Sequence, residues 1–186
     1  MEKVRCDWAN QSEIERIYHD TQWGRPAHED GYLFEMLVLE SMQAGLSWKT
    51  ILDKREAFRE AFDQFDIEKV SRYDEKKIAE LLSNPKIIRN KLKIQAAVNN
   101  AEMFLKIQKD HGSFDQFIWS YVNHQPVVNN FYSLSEVPST TELAERITKD
   151  LKKAGFKFIG PTIIYAYMQS IGMVNDHLLT CEFRHC

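Results

Sequence analysis

The chain has 186 residues, 44% of them hydrophobic, with four Trp, eleven Phe and a formal net charge of −3. That suffices for the core of one domain over 1–186, and seven Gly with five Pro exclude collagen-like or low-complexity character. There is no apolar run of transmembrane length, the start MEKVRCDWANQSEIER is too polar for a signal peptide, and three cysteines do not indicate a disulfide framework, so a soluble cytoplasmic protein without a membrane partner is expected.

Apolar periodicity predicts helices near 11–19, 30–45, 48–62, 75–83, 87–109, 114–121, 141–154 and 161–172, with few alternating patterns: an all-α fold. Cys6 and His19 open the chain, and His177 and Cys181 close it in mirrored order. Together they make a Cys2His2 set, the ligand mix of a closed zinc site. His177 and Cys181, four apart, share one face if helical, whereas Cys6 and His19, thirteen apart, do not fit a standard finger loop. Spacing alone leaves open both a metal site and a set of buried or capping side chains.

In DGYLFEMLVLESMQAG (30–45), Leu33, Met36, Leu37 and Ala44 define an apolar face with Glu40 in its middle. Glu35 points the other way and reads as an ordinary surface acid. An inward carboxylate costs several kcal/mol unless paired, so Glu40 is either bonded to a structural neighbour or waiting for a polar or cationic ligand. Trp8, Tyr18 and Trp23 precede this segment and Trp48 follows it. Such rings suit a flat, electron-poor ligand beside a carboxylate, and they equally suit a core.

Two basic clusters follow: Lys86, Arg89, Lys91 and Lys93, then Lys149, Lys152, Lys153 and Lys157, each a candidate phosphate surface or an ordinary solvated face. The segment Ser139-Thr140-Thr141-Glu142 reads as a capping box, and Gly155 as a helix stop. From Lys149 to Gly172 the chain reads helix, short Gly-bounded hairpin, helix, the last beginning at Pro161-Thr162. Free amides after Gly160 near Thr162, with Lys157 beside them, can hold a DNA phosphate; a plain helical hairpin has the same pattern.

Taken together, these segments resemble the 3-methyladenine DNA glycosylase I family. The matching stretches are Arg5-Cys6-Asp7-Trp8, Tyr18-His19-Asp20 through Trp23-Gly24, LFEMLVLESMQAGLSWKTIL (33–52), Trp119-Ser120-Tyr121-Val122-Asn123, GFKFIGPTIIYAYMQSIG (155–172), and Val174-Asn175-Asp176-His177 with Cys181. The resemblance implies an all-α fold of the helix-hairpin-helix glycosylase superfamily. It also implies one structural zinc on Cys6, His19, His177 and Cys181, and a base pocket lined by Tyr18, Glu40 and Trp48 with Trp8 nearby. The superfamily's usual catalytic Asp lacks its role in this family; Asp176 falls in roughly that region and is a weaker candidate. The family pattern has an aromatic one turn before Tyr18, where this chain has Glu15.

The implied activity is base excision: monofunctional hydrolysis of the N-glycosidic bond of 3-methyladenine in double-stranded alkylated DNA, with free base as product. Trp48 would stack on the flipped base, Glu40 and Tyr18 would meet its edge, and Leu46, after Gly45, would fill the gap in the duplex. Rival readings are a non-enzymatic zinc-containing DNA-binding module and a related glycosylase of different base specificity. A monomer is expected, and His185 with Cys186 are a second His/Cys source at the tail.

Overall fold

The computed structural model describes residues 3–185. Among these, nine α-helices follow one another: α1 (Glu13–Thr21), α2 (Asp30–Gln43), α3 (Trp48–Ala61), α4 (Ile67–Ser71), α5 (Glu75–Ser83), α6 (Lys91–His111), α7 (Phe114–Ser120), α8 (Glu142–Lys153) and α9 (Pro161–Ser170). The only sheet among the described residues is a two-residue parallel pair, β1 (Val127–Val128) with β2 (Val174–Asn175), Val127 facing Val174. The class is therefore all-α, as the periodicity predicts. Side-chain caps set most helix starts. Ser12, Ser47, Asp74, Asn90, Ser113 and Thr141 each accept a hydrogen bond from the amide three residues on.

The fold is organised around α2, whose residues 33–42 are all buried. It packs against α3, α6, α7 and α9, with Phe34 against Phe104 and the Tyr167 hydroxyl donating to the Leu33 carbonyl at 3.0 Å. This central position corrects the reading of Glu35. With helices on several sides, α2 has no solvent face over those residues, so the periodicity of one apolar stripe does not apply. Glu35 is buried and takes Arg55 Nε at 2.6 Å and Arg59 Nε at 2.9 Å. Breaking such a pair on one side costs about 3–5 kcal/mol, because the other charge is left buried.

Other boundaries differ for local reasons. Helix α2 stops at Gln43, two residues early, because Ala44 leaves the helical region and Gly45 takes φ +82°. Helix α6 starts at Lys91 rather than 87, where the Asn90 side chain caps it. Helix α4, five residues behind the Asp66 cap, is too short to leave a periodic signal. The cap of α8 is Thr141, with Ser139 lying outside the helix. The segment 176–185 is a series of turns, so His177 and Cys181 do not share a helix face. This tail meets the N-terminal segment through Glu182 N, which donates to Val4 O at 3.0 Å, and Leu178 N, which donates to Cys6 Sγ at 3.5 Å.

Close approach explains one glycine here. At Gly172 (φ +69°) an added Cβ would lie 2.0 Å from the Arg25 carbonyl carbon. The turn after α9 therefore seats directly on the segment joining α1 to α2, where Ala27 N also donates to Ile171 O at 2.9 Å.

Candidate active site

A cleft of about 470 Å³ opens between α1, α2, the start of α3, α9 and the loop before α8. The four residues expected at the base pocket, Trp8, Tyr18, Glu40 and Trp48, line it together. Tyr18 and Trp48 have ring centroids 5.3 Å apart at 58°, and Trp8 lies 6.4 Å from Tyr18. Each ring is fixed by a different element. Tyr18 sits near the end of α1, Trp48 is the first residue of α3 after the Ser47 cap, and Trp8 packs edge-on against Trp23 at 5.1 Å.

Glu40 is 4% exposed. Burial pushes its carboxyl up to about 8, against a smaller downward effect of the Ser170 hydroxyl. Burial and the neighbouring Glu40 charge likewise push Tyr18 well above the ordinary phenol range. The Tyr18 hydroxyl and the Trp48 indole N–H are both buried without a hydrogen-bond partner among the described residues. A buried unpaired polar group costs about 1–3 kcal/mol, and a ligand with polar edges recovers that. The cleft thus offers aromatic faces, two orphaned polar atoms and a carboxyl in a low-dielectric wall.

The sequence did not single out Gln43, Gln169, Leu134 and Val137, which also line the cleft. Gln43 lies one turn beyond Glu40, a spacing that marks it as a neighbour. Leu134, Val137 and Pro138 carry no local pattern, and only the tertiary structure brings them to the rim. Glu15 lines the cleft too, but its carboxylate accepts from Ser12 Oγ at 2.6 Å while its own amide donates to that oxygen, a reciprocal cap at the start of α1. Asp176 forms part of the deep wall. Its oxygens accept from Tyr165 Oη (2.5 Å), Gln169 Nε2 (2.8 Å) and Asn129 Nδ2 (2.7 Å).

Leu46 lies outside this lining, on the turn between α2 and α3, with 40% of its surface exposed. Lys157 and Phe158 are exposed on the connection 154–160, whereas Phe156 and Ile159 anchor it in the core. Gly160 caps α9 without a side-chain hydrogen bond, and Thr162 stands exposed where α9 meets the cleft. One basic cluster needs correcting. Lys93 is buried and donates to the Met42 and Ala44 carbonyls, so its ammonium is not available to a phosphate. Lys86, Arg89 and Lys91 are exposed.

Beside the cleft, Cys6, His19 and Cys181 bring their ligand atoms within 4.8 Å of one another, all buried, an arrangement that can hold a metal ion. Cys181 Sγ lies 3.5 Å from His19 Nε2. On its other side His19 Nδ1 meets Asp20 Oδ1 at 2.9 Å, and Asp20 is paired with Arg5, the orienting arrangement typical of a ligand histidine. His177 is outside that group of three but adjoins it, its ring centroid 4.8 Å from that of His19. Its Nδ1 contacts Asn175 Oδ1 at 2.9 Å, leaving Nε2 buried and unpartnered, and burial pushes the imidazole down to about 4. Gly24 (φ +71°) makes room for it: a Cβ there would lie 2.7 Å from His177 Cε1. His185 is exposed and outside the cluster, and Cys186 lies outside the described residues.

An open cleft with aromatic faces and a buried acid, set in an all-α domain, can take up a flat ring with polar edges. The family described as methyladenine glycosylase matches residues 8–185. The DNA-3-methyladenine glycosylase of Haemophilus influenzae is 46% identical over 178 residues, 96% of each chain. DNA-3-methyladenine glycosylase 1 of Escherichia coli is 46% identical over 177 residues, 95% of each chain. The solved structure of 3-methyladenine DNA glycosylase I from Staphylococcus aureus, described in terms of 3-methyladenine recognition, superposes with a TM-score of 0.94 at 38% identity, covering 98% of this chain and 97% of that one. The chain belongs to the methyladenine glycosylase family.

Proposed function

We propose that the protein excises 3-methyladenine from double-stranded alkylated DNA by hydrolysing its N-glycosidic bond, releasing the free base and leaving an abasic site. The observation that carries this reading is the buried carboxyl of Glu40 in one cleft with the orphaned polar atoms of Tyr18 and Trp48. The target nucleotide must leave the stack to reach such a cleft. Methylation at N3 makes the base cationic, so the bonding pair that departs with it neutralises its charge. The sugar gains oxocarbenium character, water adds at C1′, and the water proton is lost. The enzyme therefore needs selection and placement more than acid help.

In this mechanism Trp48 stacks on the base, and Tyr18, in contact with Trp48, meets its edge, with Trp8 nearby. Glu40 accepts from the exocyclic amine and other edge donors, and the cation favours its ionised form, giving up the proton that burial otherwise retains. A hydrogen bond to a charged group is worth about 1.5–3 kcal/mol, enough to discriminate between bases. Leu46 is the wedge. Lys157, Gly160 and Thr162 hold backbone phosphates through the hairpin between α8 and α9, read as a helix-hairpin-helix element. No lysine serves as a Schiff-base nucleophile, so lyase chemistry is not expected. Asp176, its oxygens already engaged, remains the weaker candidate for a direct role.

Cys6, His19 and Cys181 fit three ligands of one structural zinc, and the adjoining His177, its Nε2 unpartnered, would supply the fourth. Zinc there would clasp the two ends of the chain without acting on the bond. It would hold Tyr18, next to His19, in register with the segment after α9. A monomer working in the cytoplasm accords with this activity. The test is to incubate the protein with N-methylated duplex and identify the released bases. Release of 3-methyladenine is expected; release of 7-methylguanine without it refutes the substrate assignment.

A further inference from the structure

The two elements assigned to DNA, the Leu46 turn and the hairpin at Lys157, are far apart in sequence, yet both are fastened to α6. Lys93, in its first turn, is 6% exposed and makes no ion pair among the described residues. Its ammonium donates to Met42 O at 2.8 Å and Ala44 O at 2.7 Å. These carbonyls close α2 and begin the turn, where a helix otherwise leaves acceptors open and a cation is favoured. Gly45 (φ +82°) follows, and Leu46 N donates to Gln43 O at 2.6 Å, so the direction of the Leu46 side chain depends on the peptide that Lys93 grips.

Seven residues along the same helix, and therefore on nearly the same face about 10 Å away, Asn100 grips the hairpin. Its Nδ2 donates to Lys157 O at 2.9 Å and its Oδ1 accepts from Lys157 N at 2.8 Å, while Asn99 Nδ2 donates to Gly155 O at 2.9 Å. The Lys93 ammonium also lies 5.8 Å from the ring of Phe158, at the exposed tip of that hairpin. Burial lowers the Lys93 pKa, in keeping with an ammonium whose water has been replaced by carbonyls.

The geometry points to Lys93 as a positioning residue that, through α6, sets the wedge turn at Leu46 against the hairpin at Lys157. It touches neither the base nor the reacting atoms. This rests on the reading of Leu46 as the wedge. A wedge works only if it enters the stack at a set distance from the phosphate anchor, and two side chains on one rigid helix supply that distance.

The experiment uses the full chain and compares single-turnover excision from two duplexes, one with the lesion paired and one with it opposite an abasic site, where little unstacking remains to be done. Lys93→Met keeps the alkyl stem and removes both hydrogen bonds. It is expected to slow excision of the paired lesion about tenfold or more. It should slow the unpaired one less than about threefold and leave free 3-methyladenine affinity unchanged. Leu46→Ala should give the same pattern, and the double variant no further loss. Should Lys93→Met not fold, Lys93→Arg, which retains donors, and Asn100→Ala, which frees the hairpin end, are read by the same ratio. Equal slowing on both duplexes overturns the positioning role. A changed ratio for Leu46→Ala but not for Lys93→Met overturns it while sparing the wedge. An unchanged ratio for Leu46→Ala removes the wedge and with it this proposal. No excision of either lesion by the parent protein is a failure of the assigned activity instead.

Discussion

Replacing Glu40 by Gln keeps the shape of the side chain and removes its ionisation. In the folded protein burial holds the carboxyl at about 8, against 4.5 for an unperturbed glutamate. Between those values the folded chain binds a proton that the unfolded chain has lost. Stability therefore falls as pH rises through this window and levels off above it. At 1.36 kcal/mol per unit the cost is about 3 kcal/mol at pH 7 and about 5 kcal/mol at pH 9. Tyr18 and Tyr32 are coupled to the Glu40 charge, and both are pushed upward chiefly by burial and so neutral across the window; the Ser170 hydroxyl acts the other way without titrating, and Glu15 and Asp176 share the cleft lining. Glu40→Gln should thus gain nothing at pH 4, about 3 kcal/mol at pH 7 and about 5 kcal/mol at pH 9, while losing base discrimination. For a chain of this size a gain of about 3 kcal/mol is a rise in Tm of roughly 6–12 °C. Thermal or urea unfolding of both proteins at pH 4, 7 and 9 measures it, other groups cancelling between the two. A difference that does not grow with pH refutes the reasoning, because it would mean that Glu40 is solvated or paired in the folded state.

Two further predictions concern the frame around the site. Metal analysis should find about one zinc per chain, and Cys181→Ser should lower both metal content and Tm; a metal-free chain of unchanged stability removes the clasp. Gly172→Ala should abolish folding or cost more than about 4 kcal/mol by urea titration, since the new Cβ meets rigid backbone at Arg25 and the residue needs φ +69°; a mild effect would mean that the turn can move.

The local physics of the chain determined much of this protein. Helix periodicity placed eight of the helices, and the capping residues account for most of their starts. The inward position of Glu40 was legible because an acid inside an apolar stripe breaks the pattern. The mirrored Cys and His residues announced a possible clasp, though spacing alone left it open until the resemblance of whole segments was added. What depended on neighbours was not legible. Glu35 and Glu40 are both buried acids on one helix. Only packing made Glu35 a partner of Arg55 and Arg59 and left Glu40 facing a cleft. Lys93 looked like one more cation of a basic run, and only the fold turned it onto the end of α2. The rim at 134–139 and the short β1–β2 pairing leave no periodic trace, since so few residues repeat nothing. Periodicity reports which face of an element is apolar. Which partner covers that face, and whether a buried polar group meets a side chain or an open cleft, is decided by contacts between residues far apart in sequence.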